Sequence, residues 1–414
     1  MTPTMGPQVL AYPFLFIAIF FEAFVLLTFL STPARKARAR GASLSTPTVA
    51  VIIPCYNEMH TIEGTVKSAL ALDYPKDKLE VILVDDGSTD GTPAVMARFA
   101  DNPQVKVITK ENGGKHTALN AGIAATRAEL VGCLDADSFV EPDALKQVIA
   151  CFDTPEVAAT TAAMSVHEPQ NLLQHMQNAE YIFGILLRHA LSTVNGLYVT
   201  PGPFSFYRRS VVNDLGGFRK GHQTEDLEMA LRIQRAGFVI DNAPGARVYT
   251  KAPTNVFKLV KQRTRWTTGF LRNVLNEYRD LIGNSKYGTL GTMVLPIGIS
   301  AIGSGIVLFL LSLSLLVYHI AYSIFLHIGI PYTFTFSAPT FDWFYIPVSF
   351  YIVMAVFTIL TTLVMIAIGK RVSHTPGSLS RGVLAYAFLY GFIAPFWLMR
   401  ATADVVTGAR RSWK

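Results

Sequence analysis

A chain of 414 residues that is 50% hydrophobic and only 16% charged, with a mean hydropathy of +0.34, is too apolar to be an ordinary soluble protein. Its net charge of +7 would suit a nucleic-acid partner, but the basic residues crowd the flanks of apolar runs and one segment near 258–279. Attraction to lipid headgroups and to a negatively charged substrate explains that placement, so no nucleic-acid partner is expected.

Pro13 to Leu30 is apolar apart from Glu22 and long enough to cross a bilayer as a helix. No basic residue precedes it and no small-residue cleavage site follows, which argues against a signal peptide. Arg35, Lys36, Arg38 and Arg40 come next, so the positive-inside rule predicts an outside N-terminus and a cytoplasmic middle domain. The chain therefore divides into an N-terminal transmembrane segment (1–34), a middle domain (48–285), a second apolar part (288–400) and a basic tail (401–414). A multi-pass protein of the inner or plasma membrane is expected. Cys55, Cys133 and Cys151 lack metal-ligand spacing and read as buried thiols of a reducing compartment.

Within the middle domain, Val49–Pro54 is a continuous apolar run of strand length, the pattern of a strand buried on both faces. It ends at Pro54-Cys-Tyr-Asn-Glu58, with a helix expected through Leu72. Leu79–Val84 repeats the pattern and ends at Asp85-Asp86-Gly-Ser-Thr-Asp90. Val105–Thr109 does so again, ending at Glu111-Asn-Gly-Gly-Lys115 before a helical stretch. A fourth run from Val131 ends in Asp135-Ala-Asp137. Strand, polar tip and helix in repetition predict an α/β fold with a doubly wound, mostly parallel sheet, whose ligands bind beyond the carboxyl ends of the strands. No Gly-x-Gly-x-x-Gly follows the first strand, and Gly113-Gly-Lys-His116 lacks Walker A spacing.

Asp135 and Asp137 lie two apart at a strand end, where both carboxylates can face one hard cation such as Mg²⁺ or Mn²⁺. An Asp that merely caps the next helix is the plain alternative. Asp86 beside Gly87 is placed to accept hydrogen bonds from a ligand, or simply to make a turn. Lys115, after two glycines, can reach phosphates or stay in solvent. Thr224 reads as an N-cap, with Glu225 and Asp226 in the first turn of the helix that follows. A helix is predicted over Asn255–Leu281, an interfacial segment within 255–282. Gln262, Arg265 and Trp266 share one face of it, offering a two-pronged phosphate contact and a flat surface for a sugar. Lys258, Lys261, Arg263, Arg272 and Arg279 suit lipid headgroups as well.

Residues 288–326 are too long for one plain span and suggest an interfacial piece followed by a span near 304–326. A polar-aromatic outside loop with Pro331, Tyr332, Pro339 and Trp343 comes next, then a span over Tyr345–Gly369 ending at Lys370 and Arg371. The run 383–399 contains Gly391 and Pro395 and either spans or lies re-entrant or interfacial. If it spans, the tail with Arg410, Arg411 and Lys414 is outside, against the positive-inside rule.

Taken in order, Pro54-x-Tyr-Asn-Glu58, Val84-Asp-Asp-Gly-Ser-Thr-Asp90, Asn112-Gly-Gly-Lys115, Asp135-Ala-Asp137, Thr224-Glu-Asp226 and Gln262-Arg-Thr-Arg-Trp266 resemble the membrane-embedded family 2 glycosyltransferases. The likeness is to processive β-polysaccharide synthases of the poly-N-acetylglucosamine, chitin-oligosaccharide and hyaluronan type, and covers residues 48 to about 280. The resemblance implies a GT-A-like domain inserted between transmembrane helices, a UDP-sugar donor and a divalent cation. It implies that Pro54, Tyr56, Glu58, Asp86, Lys115 and Asp135 bind the nucleotide sugar, with Asp86 on uracil. Asp135 and Asp137 hold the metal, Asp226 is the general base of an inverting transfer, and Gln262, Arg265 and Trp266 bind diphosphate and acceptor. Gly202–Arg208 resembles the acceptor-side loop. The expected product is a β-linked amino-sugar polymer, most simply of N-acetylglucosamine, with spans that either form a channel or serve as anchors. Transfer of a single sugar to a lipid-linked or short carbohydrate acceptor is the alternative, and a non-catalytic membrane scaffold a remote one.

Overall fold

The structure, a computed structural model, describes residues 7–31, 46–329 and 350–409. The polar-aromatic loop, the basic run Arg35–Arg40 and the last five residues lie outside the described residues. An apolar helix α1 (Tyr12–Ser31) precedes the domain. There β1 (Val49–Cys55), α2 (Ile62–Leu70), β2 (Leu79–Asp85), α3 (Thr92–Ala97), β3 (Val105–Thr109), α4 (Lys115–Ala124) and β4 (Leu130–Cys133) alternate as the sequence pattern requires. They are followed by β5 (Ser138–Val140), α5 (Ala144–Ile149), β6 (Val157–Val166), α6 (Leu172–Thr193), β7 (Ser205–Arg208), α7 (Arg209–Asp214), α8 (Glu225–Arg235) and β8 (Val239–Thr250).

All eight strands form one sheet in the order β3-β2-β1-β4-β7-β6-β8-β5. The first four are mutually parallel. Beyond β4 the sheet is mixed: β7 runs antiparallel to β4 and β6, β8 parallel to β6, and β5 antiparallel to β8. Alternate residues of a strand face opposite sides, and the two cores follow that rule. Ala50, Ile52, Ile82 and Val84 pack with Leu119 of α4 and Leu231 of α8. Val49, Val51, Ile53, Val81 and Leu83 pack with Ile62 of α2 and Leu145 of α5 on the other face.

Among the described residues, four helices are long and apolar enough to cross a membrane: Val9–Ser31, Leu290–Leu326, Phe350–Ser373 and Ser380–Val406. The expected break near 304 is absent. Residues 290–294 form a π-turn that continues directly into α10 (Leu295–Leu326). At 1.5 Å per residue a helix of this length exceeds a hydrocarbon core of about 30 Å. Its first turns instead belong to the domain, where Leu290, Val294 and Leu295 are buried in the sheet's core.

Two helices lie between sheet and spans. Leu186 and Ala190 of α6 pack with Val25 of α1 and with Met365 of α11 (Phe350–Ser373). The other is α9 (Val256–Arg272), which ends earlier than the predicted Leu281, passing into a π-turn at 273–277 and a 3₁₀ turn at Arg279–Leu281. The cause is Asn273, fully buried, whose Nδ2 donates to the carbonyls of Gly221 and Gly269 and to Thr224 Oγ1. Alongside α9 run α12 (Ser380–Ala385), a π-turn at 386–390 and α13 (Gly391–Val406).

The turn before α8 and the segment after α9 are held by a buried ion pair. Arg232 Nη2 lies 2.7 Å from Glu228 Oε2, and Tyr278 Oη donates to Glu228 Oε1 at 2.6 Å. Glu228→Ala leaves the Arg232 guanidinium uncompensated in the core. The expected loss is about 3–5 kcal/mol, read as a lower thermal midpoint in detergent. An unchanged midpoint would remove this pair from the account of stability.

Candidate active site

The carboxyl ends of β1, β2 and β4 meet the N-termini of α4 and α8 at one edge of the sheet. Asp135 and Asp137 occupy the turn between β4 and β5, closed by Ser138 N donating to the Asp135 carbonyl at 2.9 Å. Asp137 Oδ1 accepts from Ser138 Oγ (3.1 Å) and Thr250 Oγ1 (3.3 Å). Burial first, then the charges of Asp135 and Glu58, push the Asp137 carboxyl up to about 6. Lys115 Nζ lies 2.5 Å from Asp135 Oδ1 and 3.3 Å from Glu225 Oε1. Burial opposes the Lys115 charge, but the carboxylates, Asp135 foremost, outweigh it and hold its pKa well above the usual lysine range. Gly202 covers the pair closely: a Cβ there would stand 2.9 Å from both Asp135 oxygens and collide with Lys115 Nζ.

This density of like charge at oxygen ligands fits a hard divalent cation. Among the described residues no group of three His, Cys, Asp or Glu side chains is arranged to hold a metal.

Asp226 stands in the first turn of α8. The sequence predicts Thr224 as its N-cap, and the structure places it at that position but without a side-chain capping bond. Thr224 Oγ1 donates to the Gly221 carbonyl at 2.8 Å and makes no cap bond. It is pressed there by α9, where Gly269 allows an approach that any Cβ would block. Thr200 Oγ1 donates to the Asp226 carbonyl (2.8 Å) and receives Tyr207 Oη (2.9 Å), which ties the 200–208 loop to α8. Burial, and next the charge of Glu225, push Asp226 up to about 6 against the pull of Lys115 and Arg265.

Asp86 is not open as its strand-tip position suggests. Its carboxylate accepts from Gly113 N (3.0 Å), Gly114 N (2.8 Å) and Lys110 Nζ (2.7 Å), so it organises the loop that carries Lys115. Gly87, at φ +74°, makes the turn, and a Cβ there would lie 2.8 Å from Asn112 N. Pro54 lies near the end of β1, and Tyr56 beyond it is 39% exposed. Glu58 accepts from Thr61 Oγ1 at 2.6 Å and directs its charge at Asp137. Asn57 at φ 57° accepts from Thr89 N at 2.8 Å, joining the β1 and β2 tips. Asn tolerates that left-handed conformation better than most residues.

On α9, Arg265 Nη1 donates to the Gln223 carbonyl at 2.8 Å and lies within electrostatic reach of Asp226. Gln262 Oε1 accepts from Arg263 Nη1 at 3.3 Å. One face of Trp266 is covered by the Arg263 guanidinium, 4.2 Å from the ring. Arg263 does not serve headgroups. It is 4% exposed, paired with Glu180 at 2.8 Å and also set over Tyr181. The signal was present in the sequence: Arg263 shares the helix face of Leu259 and Phe270, both buried. Lys258 and Lys261 are exposed, whereas Arg272 Nη2 donates to the carbonyls of Asp404 and Ala409.

A strand edge that gathers an Asp-x-Asp pair, a lysine and a half-buried aspartate at a helix start has the makings of a glycosyltransferase of the GT-A fold. Residues 47–269, more than half the chain, match "Glycosyltransferase like family 2", and the chain belongs to that family. It is 31% identical over 242 residues to a poly-beta-1,6-N-acetyl-D-glucosamine synthase of Staphylococcus epidermidis. It is 30% identical over the same length to one of Staphylococcus aureus. The matched part is 58% of this chain and 58% of each relative. The mannosyltransferase PcManGT of Pyrobaculum calidifontis, solved with GDP-Man and Mn²⁺, shares the fold at a TM-score of 0.63 and 20% identity. That match covers 98% of this chain and 99% of the other.

Proposed function

We propose that the chain is an inverting, processive transferase that polymerises β-linked N-acetylglucosamine from a UDP-sugar. The observation that carries this reading is the placement of Asp226, half-buried and raised to about 6, beside the Lys115–Asp135 pair at the sheet edge of a family 2 domain. The named relatives support the amino sugar.

In this reading the Asp226 carboxylate takes the proton of the acceptor hydroxyl. The hydroxyl oxygen forms its bond to the anomeric carbon from the face opposite the diphosphate, the carbon–oxygen bond to UDP breaks, and the electron pair leaves with UDP. The configuration inverts and an α-linked donor gives a β-linkage. Asp135 and Asp137 would hold Mg²⁺ or Mn²⁺, which when bound neutralises charge on the diphosphate. Lys115 and Arg265 offer further positive charge to the same group. Asp86 would take the uracil edge by exchanging its Gly113 and Gly114 bonds for those of the base. Gln262 and Trp266 would support diphosphate and acceptor sugar. Transfer of one sugar to a lipid-linked acceptor uses the same residues and differs in product length.

The membrane arrangement follows from α9. The helix 380–406 packs beside it at both ends: Leu259 shares a cluster with Ala385, and Arg272 bonds the Asp404 carbonyl. Leu384, Phe388, Phe392 and Phe396, four residues apart, are 56–69% exposed on the other side. A helix with one face on the domain and one apolar stripe lies in the interface plane. Three spans with the N-terminus outside then place both the domain and the basic tail in the cytoplasm, as the positive-inside rule asks.

Membranes containing the protein and Mg²⁺ or Mn²⁺, given UDP-N-acetylglucosamine alone, are expected to release UDP and form long polymer. Asp226→Asn should lower the rate by at least about a hundredfold. Short or lipid-linked product would select single transfer, and dependence on UDP-glucuronate would reassign the polymer.

The ionised form of Asp226 is the working form, so kcat/KM should fall about tenfold per unit as the pH drops below about 6. A flat profile from about pH 5 to 7 would exclude it as the proton acceptor. The stability effect has the opposite sense. The folded pKa exceeds the usual carboxylate value of about 3.9, so stability contributed by the protonated form is lost as the pH rises towards about 6.

A cysteine placed after Lys414 should resist a membrane-impermeant thiol reagent added to intact cells and react after permeabilisation. Labelling in intact cells would make 380–406 a true span.

A further inference from the structure

Three helices start at one corner of the domain. Asn171, the N-cap of α6, donates from Nδ2 to the Thr254 carbonyl at 3.1 Å, directly before Asn255, the N-cap of α9. Gly382 of α12 lies against the His175 carbonyl in the first turns of α6, an approach that any Cβ would block. Met176 of α6, Leu259 of α9 and Ala385 of α12 close the junction from inside.

The outside of this corner is apolar. Phe257 is 88% exposed, Leu384 60%, Leu172 54% and Val256 44%. Single exposed apolar side chains are ordinary, but four gathered where three helices begin make a patch. Lys258 and Arg381, each in the first turn of its helix, are exposed beside them. The segments that meet here, 169–179, 251–276 and 374–403, contain no Asp or Glu. Of the two acids that flank the first segment, Glu180 is taken up by Arg263, and Glu168 stands before α6. The corner is thus an apolar surface set among cations.

Its height selects what covers it. Only residues 374–379 separate the start of α12 from the end of α11, where Lys370 and Arg371 mark the headgroup level of the inner face. An apolar patch with cations around it at that level matches an acidic lipid surface. The apolar groups enter the acyl boundary, and the cations stay among the phosphates.

We propose that the corner where α6, α9 and α12 begin is a foot on the membrane. Phe257 and Leu172 dip into the inner leaflet, and Lys258 and Arg381 rest on anionic headgroups. The foot fixes the height of the first turn of α9, and the same helix carries Arg265 and Trp266 two turns further on. The inference rests on the membrane arrangement above only for the inner end of α11. Whether 380–406 spans the membrane or lies along it, the helix starts from that end, so thiol labelling after Lys414 and the test below fail separately.

The test places a nitroxide on Phe257→Cys in full-length protein that also carries Cys151→Ser; Cys55 and Cys133 are buried. The protein is held in nanodiscs of phosphatidylcholine with or without phosphatidylglycerol. Collisions with oxygen, which concentrates in the bilayer, are compared with collisions with a water-soluble nickel chelate. A second label at Ala100→Cys, exposed in the turn leading to the edge strand β3, gives the value for water. With phosphatidylglycerol, the oxygen-to-nickel ratio at 257 should exceed that at 100 by at least about fivefold. Lys258→Glu with Arg381→Glu, or omission of phosphatidylglycerol, should lower it by at least about threefold. Equal ratios at 257 and 100 in both lipids would overturn the foot and leave the patch to an acidic protein partner. A high ratio that ignores both charge reversal and lipid charge would overturn the headgroup contact. Phe257 is too exposed for its replacement to disturb the core, and neither readout involves sugar turnover.

Discussion

The site is built on a concentration of negative charge at the end of β4. Asp135, Asp137, Glu58, Glu225 and Asp226 converge there, and among the described residues Lys115 is the lysine that pairs with them, through Asp135 and Glu225. Burial and neighbouring carboxylates raise Asp137 and Asp226, and charge gathered this closely calls for a cation. The rest of the domain serves to keep them close. The parallel strands aim their carboxyl ends at one edge, Asn57 locks two tips together, and Gly202 leaves no room for a side chain above the pair. A fold that relaxed this crowding would be more stable and would have less hold on a charged donor.

Lys115 and Asp86 meet at one loop and oppose each other in its logic. Asp86 holds the loop by two backbone N–H groups and Lys110, and the loop delivers Lys115 to Asp135. In the proposed reading, a base edge that claims Asp86 would loosen the loop, and a diphosphate that claims Lys115 would take it from Asp135. Base and phosphate recognition would then be linked through Gly113 and Gly114, the two residues before Lys115. Binding energy from the base, remote from the reacting bond, can in this way be spent on rearranging charge beside it.

The strands of the first half of the sheet were legible because burial on both faces demands continuous apolar runs, and each such run ends at a polar tip. The mixed half was not. Strands such as Ser138–Val140 and Ser205–Arg208 are too short to show a period, and their direction is fixed by what they pair with. The charged groups at the site were legible by type and order, their partners less so. That Thr224 turns from capping to Gly221, or that Arg263 is consumed by Glu180, depends on α9 approaching within a side chain's width, which spacing along one chain does not express.

The two amphipathic helices explain how a charged site can sit against a membrane. Through Arg265 and Thr224, α9 touches the site, and through Leu259 and Arg272 it is pinned to the helix 380–406. On the other side α6 reaches the site's outskirts through Glu180, which binds Arg263, and reaches α1 and α11 through Leu186 and Ala190. The Glu180–Arg263 pair therefore joins both struts. Buried ion pairs contribute little net stability but fix geometry strictly, because any slippage strands a charge. The pair thus fixes α9, which carries Trp266 and Arg265, against α6, which packs on α1 and α11; in the proposed reading that would set the depth at which an acceptor meets Asp226.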